Sequence, residues 1–156
     1  MMRIRNVQTE DAFAINRILR DLSWFPHINE EPEQATDQRI RQHIALCQQD
    51  DSHTIFVAEN EQGEVVGYTA IHWLPYLILK APEGYVSELF IAGSERGKGV
   101  GSKLLEAVKE EAMKRGCARL MLLNLKNRES YQRGFYKKQG WVEREEVANF
   151  VLRLDQ

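Results

Sequence analysis

The residues best suited to chemistry stand in one stretch. Arg96-Gly97-Lys98-Gly99-Val100-Gly101-Ser102 is a basic, glycine-dense turn. It follows a strand-like run from Tyr85 to Ile91. It opens a helix in which Val100, Leu104, Leu105, Val108 and Ala112 recur at helical spacing. Glycine lets a backbone approach an anion with no Cβ in the way. The first amides of a helix have no internal acceptor, and the helix dipole places partial positive charge on them. Arg96 and Lys98 add whole charges, so the implied chemistry is the grip of a di- or triphosphate. Two familiar spacings are excluded. A Walker A loop needs Gly-Lys-Ser/Thr, but Lys98 is followed by Gly99; the dinucleotide fingerprint needs a glycine where Ser102 stands.

Glu88 is the anomaly of the preceding strand. On a two-residue period it shares a face with Val86 and Phe90, while Ser87 points the other way. A carboxylate on that face loses hydration, which raises its pKa and suits it to accept a proton near neutral pH. Alternatively it is a structural group bonded to backbone. Tyr136, in Gly134-Phe135-Tyr136-Lys137-Lys138-Gln139-Gly140-Trp141, is either a proton donor or a core aromatic with its hydroxyl bonded. His43 and His53 read as surface or satisfied histidines. No His, Cys, Asp or Glu cluster has metal-ligand spacing, so no metal is expected.

The elements that must position these groups follow from periodicity. Met2–Val7 reads as a first strand, and Thr9 caps a helix carrying Phe13, Ile15, Ile18, Leu19 and Leu22. Ser23–Asp37 is irregular, and Gln38–Gln49 is a second helix. Thr54–Glu59 and Glu64–His72 form a hairpin around Asn60-Glu61-Gln62-Gly63. Trp73–Pro82 is expected to pack in the core; if exposed, it is a partner surface or a lid. Ala118–Leu125 is a dense apolar run expected to be a buried strand, followed by a helix over Glu129–Gln139. Trp141–Glu146 and Ala148–Leu154 complete the pattern as two strands.

Composition narrows the class. The chain has 156 residues, enough for one domain with a proper core, here 1–156. A net charge of -2 argues against a protein that coats nucleic acid. No apolar run approaches the roughly 20 residues of a membrane span, and Met1-Met2-Arg3-Ile4-Arg5 lacks a signal peptide's apolar core. Cys47 and Cys117 form no CxxC, so a reduced, cytoplasmic protein is expected.

Arg96-x-x-Gly99-x-Gly101, after a strand and opening a helix, resembles the pyrophosphate loop of the GNAT superfamily of acyl-CoA-dependent N-acetyltransferases. The aromatic-Tyr-x-x-x-Gly-aromatic string ending at Trp141 resembles that family's second hallmark, and the two motifs stand in the family's order. The resemblance implies a single α/β (α+β) domain with a mixed, mostly antiparallel central sheet and helices on both faces, in the order β-α-α-β-β-β-α-β-α-β-β. It implies acetyl-CoA as co-substrate, lying where two parallel strands splay apart, and direct attack by an amine from a small molecule or a peptide. Glu88 is then the base and Tyr136 the acid that protonates the thiolate. Phe90 and Ile91 offer backbone amides, and Arg96, Gly97, Lys98, Gly99, Val100, Gly101 and Ser102 hold the pyrophosphate. The family's asparagine, seven residues before the tyrosine, is replaced by Glu129, which leaves Asn127 as the pantetheine contact. The region of Trp24, Glu30 and Glu31 commonly borders the family's acceptor site, so these are substrate candidates; the bland alternative is a solvated loop. The family also admits a homodimer, and a catalytically weak acyl-CoA-binding sensor is the alternative function.

Overall fold

Val57 and Ala58 follow one another in a strand, so their side chains leave on opposite faces of a sheet, yet both are fully buried. That sheet must be covered on both sides. In the computed structural model, which describes residues 1–155, the chain divides into Met1–Leu123 and Asn124–Gln156, and the sheet belongs to the first unit. Its strands are β1 (Arg3–Asn6), β2 (His53–Glu59), β3 (Val65–Leu74), β4 (Glu83–Ile91) and β5 (Arg119–Leu122), in that spatial order. The first three pairings are antiparallel and β4–β5 is parallel, the mixed α/β architecture expected.

Two layers of helix cover it. On one face lie α1 (Ala12–Leu22), the short α2 (Pro26–Glu30) and α3 (Glu33–Cys47), where Ile15, Leu19, Ile28 and Ile44 pack with Val57 and Tyr68. On the other lies α4 (Val100–Lys114), whose Val100 and Leu104 pack with Ala58 and Val66. Each fully buried aliphatic side chain of this kind contributes about 1.5–3 kcal/mol, so α4 is held firmly at its first turn. No helix among the described residues is long and apolar enough to cross a membrane.

Two features of β4 shape the site. Its parallel pairing with β5 runs only from Glu83–Arg119 to Val86–Leu122. There Glu83, 1% exposed, accepts a hydrogen bond from Arg119 Nε at 2.6 Å. Beyond Val86, β4 continues alone on that side to Ile91. At the same point the ladder with β3 slips. Ala70 pairs with Glu88 and Ile71 with Val86, so Ser87 is an extra, bulged residue.

Several expectations are corrected. Ser23–Asp37 is not irregular: Pro26, whose missing N–H suits a first helical turn, opens α2, and α3 already begins at Glu33. Trp73 is buried, but Leu77 and Ile78 at the β3–β4 connection are almost fully exposed. β5 is shorter than expected, with Leu123 about half exposed. In the second unit the expected helix is split by Gly134, at φ +68°, into α5 (Glu129–Gln132) and α6 (Phe135–Lys138). No strand forms over 141–155 among the described residues, and Phe150, Leu152 and Leu154 are exposed. Alternation gives a segment two faces, but a strand also needs a neighbour to take its backbone hydrogen bonds.

Candidate active site

The glycine turn adopts the shape its composition suggests. After β4 a 3-10 turn covers Gly93–Glu95, and Gly97 and Gly99 follow at φ +77° and +81°. Gly99 is the N-cap of α4, and the first bond accepted by its carbonyl comes from Lys103 N–H at 3.1 Å. The amides of Val100, Gly101 and Ser102 therefore precede the helix's own acceptors. A Cβ added at Gly97 or Gly99 would meet nothing within 4 Å, so the turn is open to an approaching group. Backbone donors, positive φ and open space together fit a diphosphate. The two cations are not idle in the structure: Lys98 Nζ lies 3.3 Å from Glu95 Oε2, and the Arg96 guanidinium stacks 5.3 Å above the Trp24 ring.

β4 presents its backbone to two sides. Ala92 N–H donates to the Val66 carbonyl at 2.8 Å, and the Glu88 carbonyl accepts from Thr69 Oγ1 at 2.8 Å, both on the β3 side. Backbone groups alternate along a strand, so Phe90 also faces β3, while Leu89 and Ile91 face the side that β5 has left. The Ile91 amide thus faces that side. Phe90 does not offer its amide there, and Leu89, passed over in the sequence, does. The register with β3, invisible in one strand's pattern, decides this. The Phe90 ring instead joins Trp24, Phe25 and Tyr68, at centroid distances of 5.9, 5.5 and 5.9 Å, in an aromatic floor beside the gap.

Glu88 also departs from its expected setting. Because of the bulge it does not share a face with buried Val86; it is exposed, on the side of Tyr68. Tyr68 Oη donates to Glu88 Oε1 at 2.8 Å. Tyr68 is 3% exposed, and burial first, then the nearby Glu88 charge, push its hydroxyl well above the usual tyrosine range. It is therefore a permanent donor that orients the carboxylate. Ser87, expected to point away, is turned by the bulge onto the same side, where its Oγ lies 2.7 Å from His72 Nε2.

Of the substrate candidates, Trp24 lies against the site through Phe90 and Arg96. Glu30 is exposed at the end of α2. Glu31 is engaged elsewhere: Arg39 and Thr36 both bond its carboxylate and hold its pKa down at about 2. It clamps the end of α2 to α3. In the second unit, Tyr136 is half-buried between Phe135 and Trp141, at centroid distances of 5.0 and 6.1 Å. Burial pushes its hydroxyl up to about 12, so it keeps its proton at neutral pH. Asn127 is exposed in a turn. A cavity of about 310 Å³ is lined by Cys47, Asp50, His53, Glu111 and Arg115. Glu111 and Arg115 belong to the C-terminal end of α4, and at 1.5 Å per residue the 12 positions from Gly99 to Glu111 span about 18 Å, so this cavity is not the glycine turn.

Residues 16–141 match the acetyltransferase (GNAT) family. The chain belongs to that family and is an acyltransferase. It is 24% identical over 153 residues to an uncharacterized N-acetyltransferase, YhfO, of Bacillus subtilis (strain 168), covering 98% of each chain. It is 31% identical over 130 residues to the thialysine N-epsilon-acetyltransferase of Bos taurus, covering 76% of this chain and 72% of that one. Its fold superposes on the crystal structure of a transcriptional regulator from Bacillus halodurans C-125 with a TM-score of 0.85, at 22% identity and coverage of 99% and 100%.

Proposed function

We propose that residues 1–156 act as one N-acetyltransferase domain that moves the acetyl group of acetyl-CoA to a primary amine by direct attack in a ternary complex. The observation that carries this reading is the behaviour of β4. It parts from β5 after Val86, exposes Glu88 and the Leu89 and Ile91 amides, and runs into the glycine turn that caps α4. The family match spans 16–141, and so draws on both units. Acetyl-CoA supplies an activated thioester; this chain's residues bind it, aim it and handle protons. The amides of Gly97 to Ser102, with Arg96 and Lys98, take the diphosphate, and Asn127 contacts the pantetheine arm. Leu89 and Ile91 offer donors to carbonyl groups along the gap.

The acceptor is an alkyl amine. Its ammonium, with pKa near 10.4, is neutral at pH 7 in only about 1 molecule in 2,500, a cost of about 4.6 kcal/mol. Glu88 draws the cation in and takes its proton, directly or through one water. The aromatic floor of Trp24, Phe25 and Phe90 suits the alkyl part of such a group. The thialysine acetyltransferase relative, by its name, acts on an N-epsilon amine, which supports the same acceptor class. Tyr136 gives its proton to the leaving thiolate. Both cysteines are free thiols, in keeping with a cytoplasmic enzyme.

The test is thiol release from acetyl-CoA against a panel of polyamines, aminoglycosides, amino acids and peptide amines. We expect turnover with an alkyl amine and loss of most of it in Glu88→Gln. Silence with every acceptor, despite tight coenzyme binding, would favour a binding module instead.

A further inference from the structure

The bulge in β4 brings a second group capable of taking a proton to the side of Glu88. Tyr68, Ala70 and His72 share one face of β3 by alternation. Across from them β4 presents Glu88 and then Ser87, each hydrogen-bonded to one end of that row. Tyr68 Oη bonds Glu88 Oε1 at 2.8 Å, and Ser87 Oγ lies 2.7 Å from His72 Nε2. Ala70, between them, has no side chain beyond Cβ to fill the space. The alternative partner for Ser87 is the Ala70 carbonyl at 3.5 Å, a far weaker bond than the one to the imidazole. Ser87 is also the residue at which β5 ceases to pair with β4. The pair therefore stands at the mouth of the gap.

We propose that Ser87 and His72 form a proton relay for the acceptor amine, with Ser87 Oγ meeting the amine and His72 acting through it; this rests on the acetyl-transfer reading above. The ammonium N–H bond breaks and its proton passes to Ser87 Oγ as Ser87 hands its own to His72 Nε2, leaving a neutral amine and one imidazolium. The freed lone pair forms the C–N bond, and the C–S bond breaks with its electron pair going to sulfur. The new amide nitrogen loses its second proton to Glu88. The thiolate takes one from Tyr136, which regains a proton from water, and Glu88 and His72 return theirs to water. One proton is released per turnover. Glu88 then attracts and orients the cation and takes the second proton, while His72 takes the first.

The surroundings of His72 keep it neutral and ready to accept. Burial first, and then the adjacent His53, lower its pKa below the usual 6.5. The His53 ring lies edge-on at 4.8 Å, and Tyr85 of β4 at 5.9 Å. Glu88 stands one residue beyond Ser87 on β4. Behind His53, whose Nδ1 lies 2.8 Å from Ser52 Oγ, the charged and titratable groups are Cys47 of α3, Asp50 and Asp51 of the turn, Glu111 of α4 and Arg115, which caps it.

The experiment measures kcat and kcat/KM against pH, from pH 5 to 9, with the best acceptor of the panel, for wild type, His72→Gln, Ser87→Ala and Glu88→Gln. Coenzyme affinity and circular dichroism serve as controls. The base must be neutral, so wild-type turnover should fall as pH drops through a value below 6.5. His72→Gln and Ser87→Ala should each lose that acid limb and about tenfold or more in kcat, with coenzyme affinity kept. Glu88→Gln should also lose most turnover and raise KM, but retain the limb. If His72→Gln fails to fold, Ser87→Ala, which removes one oxygen, decides alone. An unchanged limb and unchanged kcat in either variant overturns the relay and leaves the acetyltransferase reading intact. A wild type silent with every acceptor overturns both.

Discussion

Alanine at Gly99 tests the site where backbone shape and binding meet. Gly99 sits at φ +81° and ψ +10° at the start of α4. An L-residue held there costs roughly 1–2 kcal/mol, because its Cβ crowds the following carbonyl. Nothing lies within 4 Å of the added Cβ, so no clash adds to that figure. Gly93, just upstream, is the matched control: its Cβ also meets nothing, and its φ lies outside the left-handed region. Alanine there only stiffens the unfolded chain, which stabilises by about 0.4–1 kcal/mol. The Gly99 penalty has two outlets. If the turn keeps its shape, the cost falls on folding, and at 2–4 °C per kcal/mol Tm drops by roughly 2–8 °C with coenzyme affinity unchanged. If the turn relaxes, Tm is spared but the amides lose their aim, and Kd for acetyl-CoA rises by up to about 5–30-fold. Thermal melts and calorimetry on G99A, G93A and wild type read both outlets together. G99A matching wild type in both, or G93A behaving as G99A does, refutes a left-handed cost at Gly99.

Three further outcomes are expected. Tyr136→Phe should lower kcat by about 100-fold or more with coenzyme affinity retained; full activity removes Tyr136 from the mechanism. Asp11 has a buried ion pair with Arg5, two bonds of 2.9 Å, and a bond from Gln8 N–H at 2.7 Å. Burial opposes its charge, but Arg5 and the Gln8 amide outweigh it and hold its pKa below the usual value. Its stabilisation is therefore present above the unfolded pKa near 3.9 and lost as pH falls through the lower folded value. Asp11→Asn should remove about 3 kcal/mol at pH 7 and flatten denaturant stability between pH 5 and 3. Gly84→Ala should cost about 1–3 kcal/mol in urea unfolding, since its Cβ would lie 2.6 Å from Leu120 Cδ2 and 2.7 Å from Trp73 Cζ3 at the β4–β5 junction.

Much of the fold was legible because local rules and burial agree. The stripe from Val100 to Ala112 forms α4 with those residues buried, and the hairpin around Asn60–Gly63 joins β2 to β3 as expected. The misses share a cause. Leu77 and Ile78, and the run from Phe150 to Leu154, are apolar enough for a core but are exposed. Hydropathy says what a segment favours, not whether a partner surface is within reach. The partners of Glu31, Arg39 on α3 and Thr36, were not legible because they meet it only once α2 turns the chain.

The chain's own order of residues determined the glycine turn. Left-handed φ at Gly97 and Gly99, and a helix beginning at Val100, are local properties of adjacent residues, so no distant contact is needed to set them. The chemistry of β4 was decided in three dimensions. A strand's alternation puts Ser87 and Glu88 on opposite faces, and only the slipped pairing with β3 turns both to one side, toward His72 and Tyr68. Register is a relation between two strands, and one extra residue in either reverses which face a side chain takes.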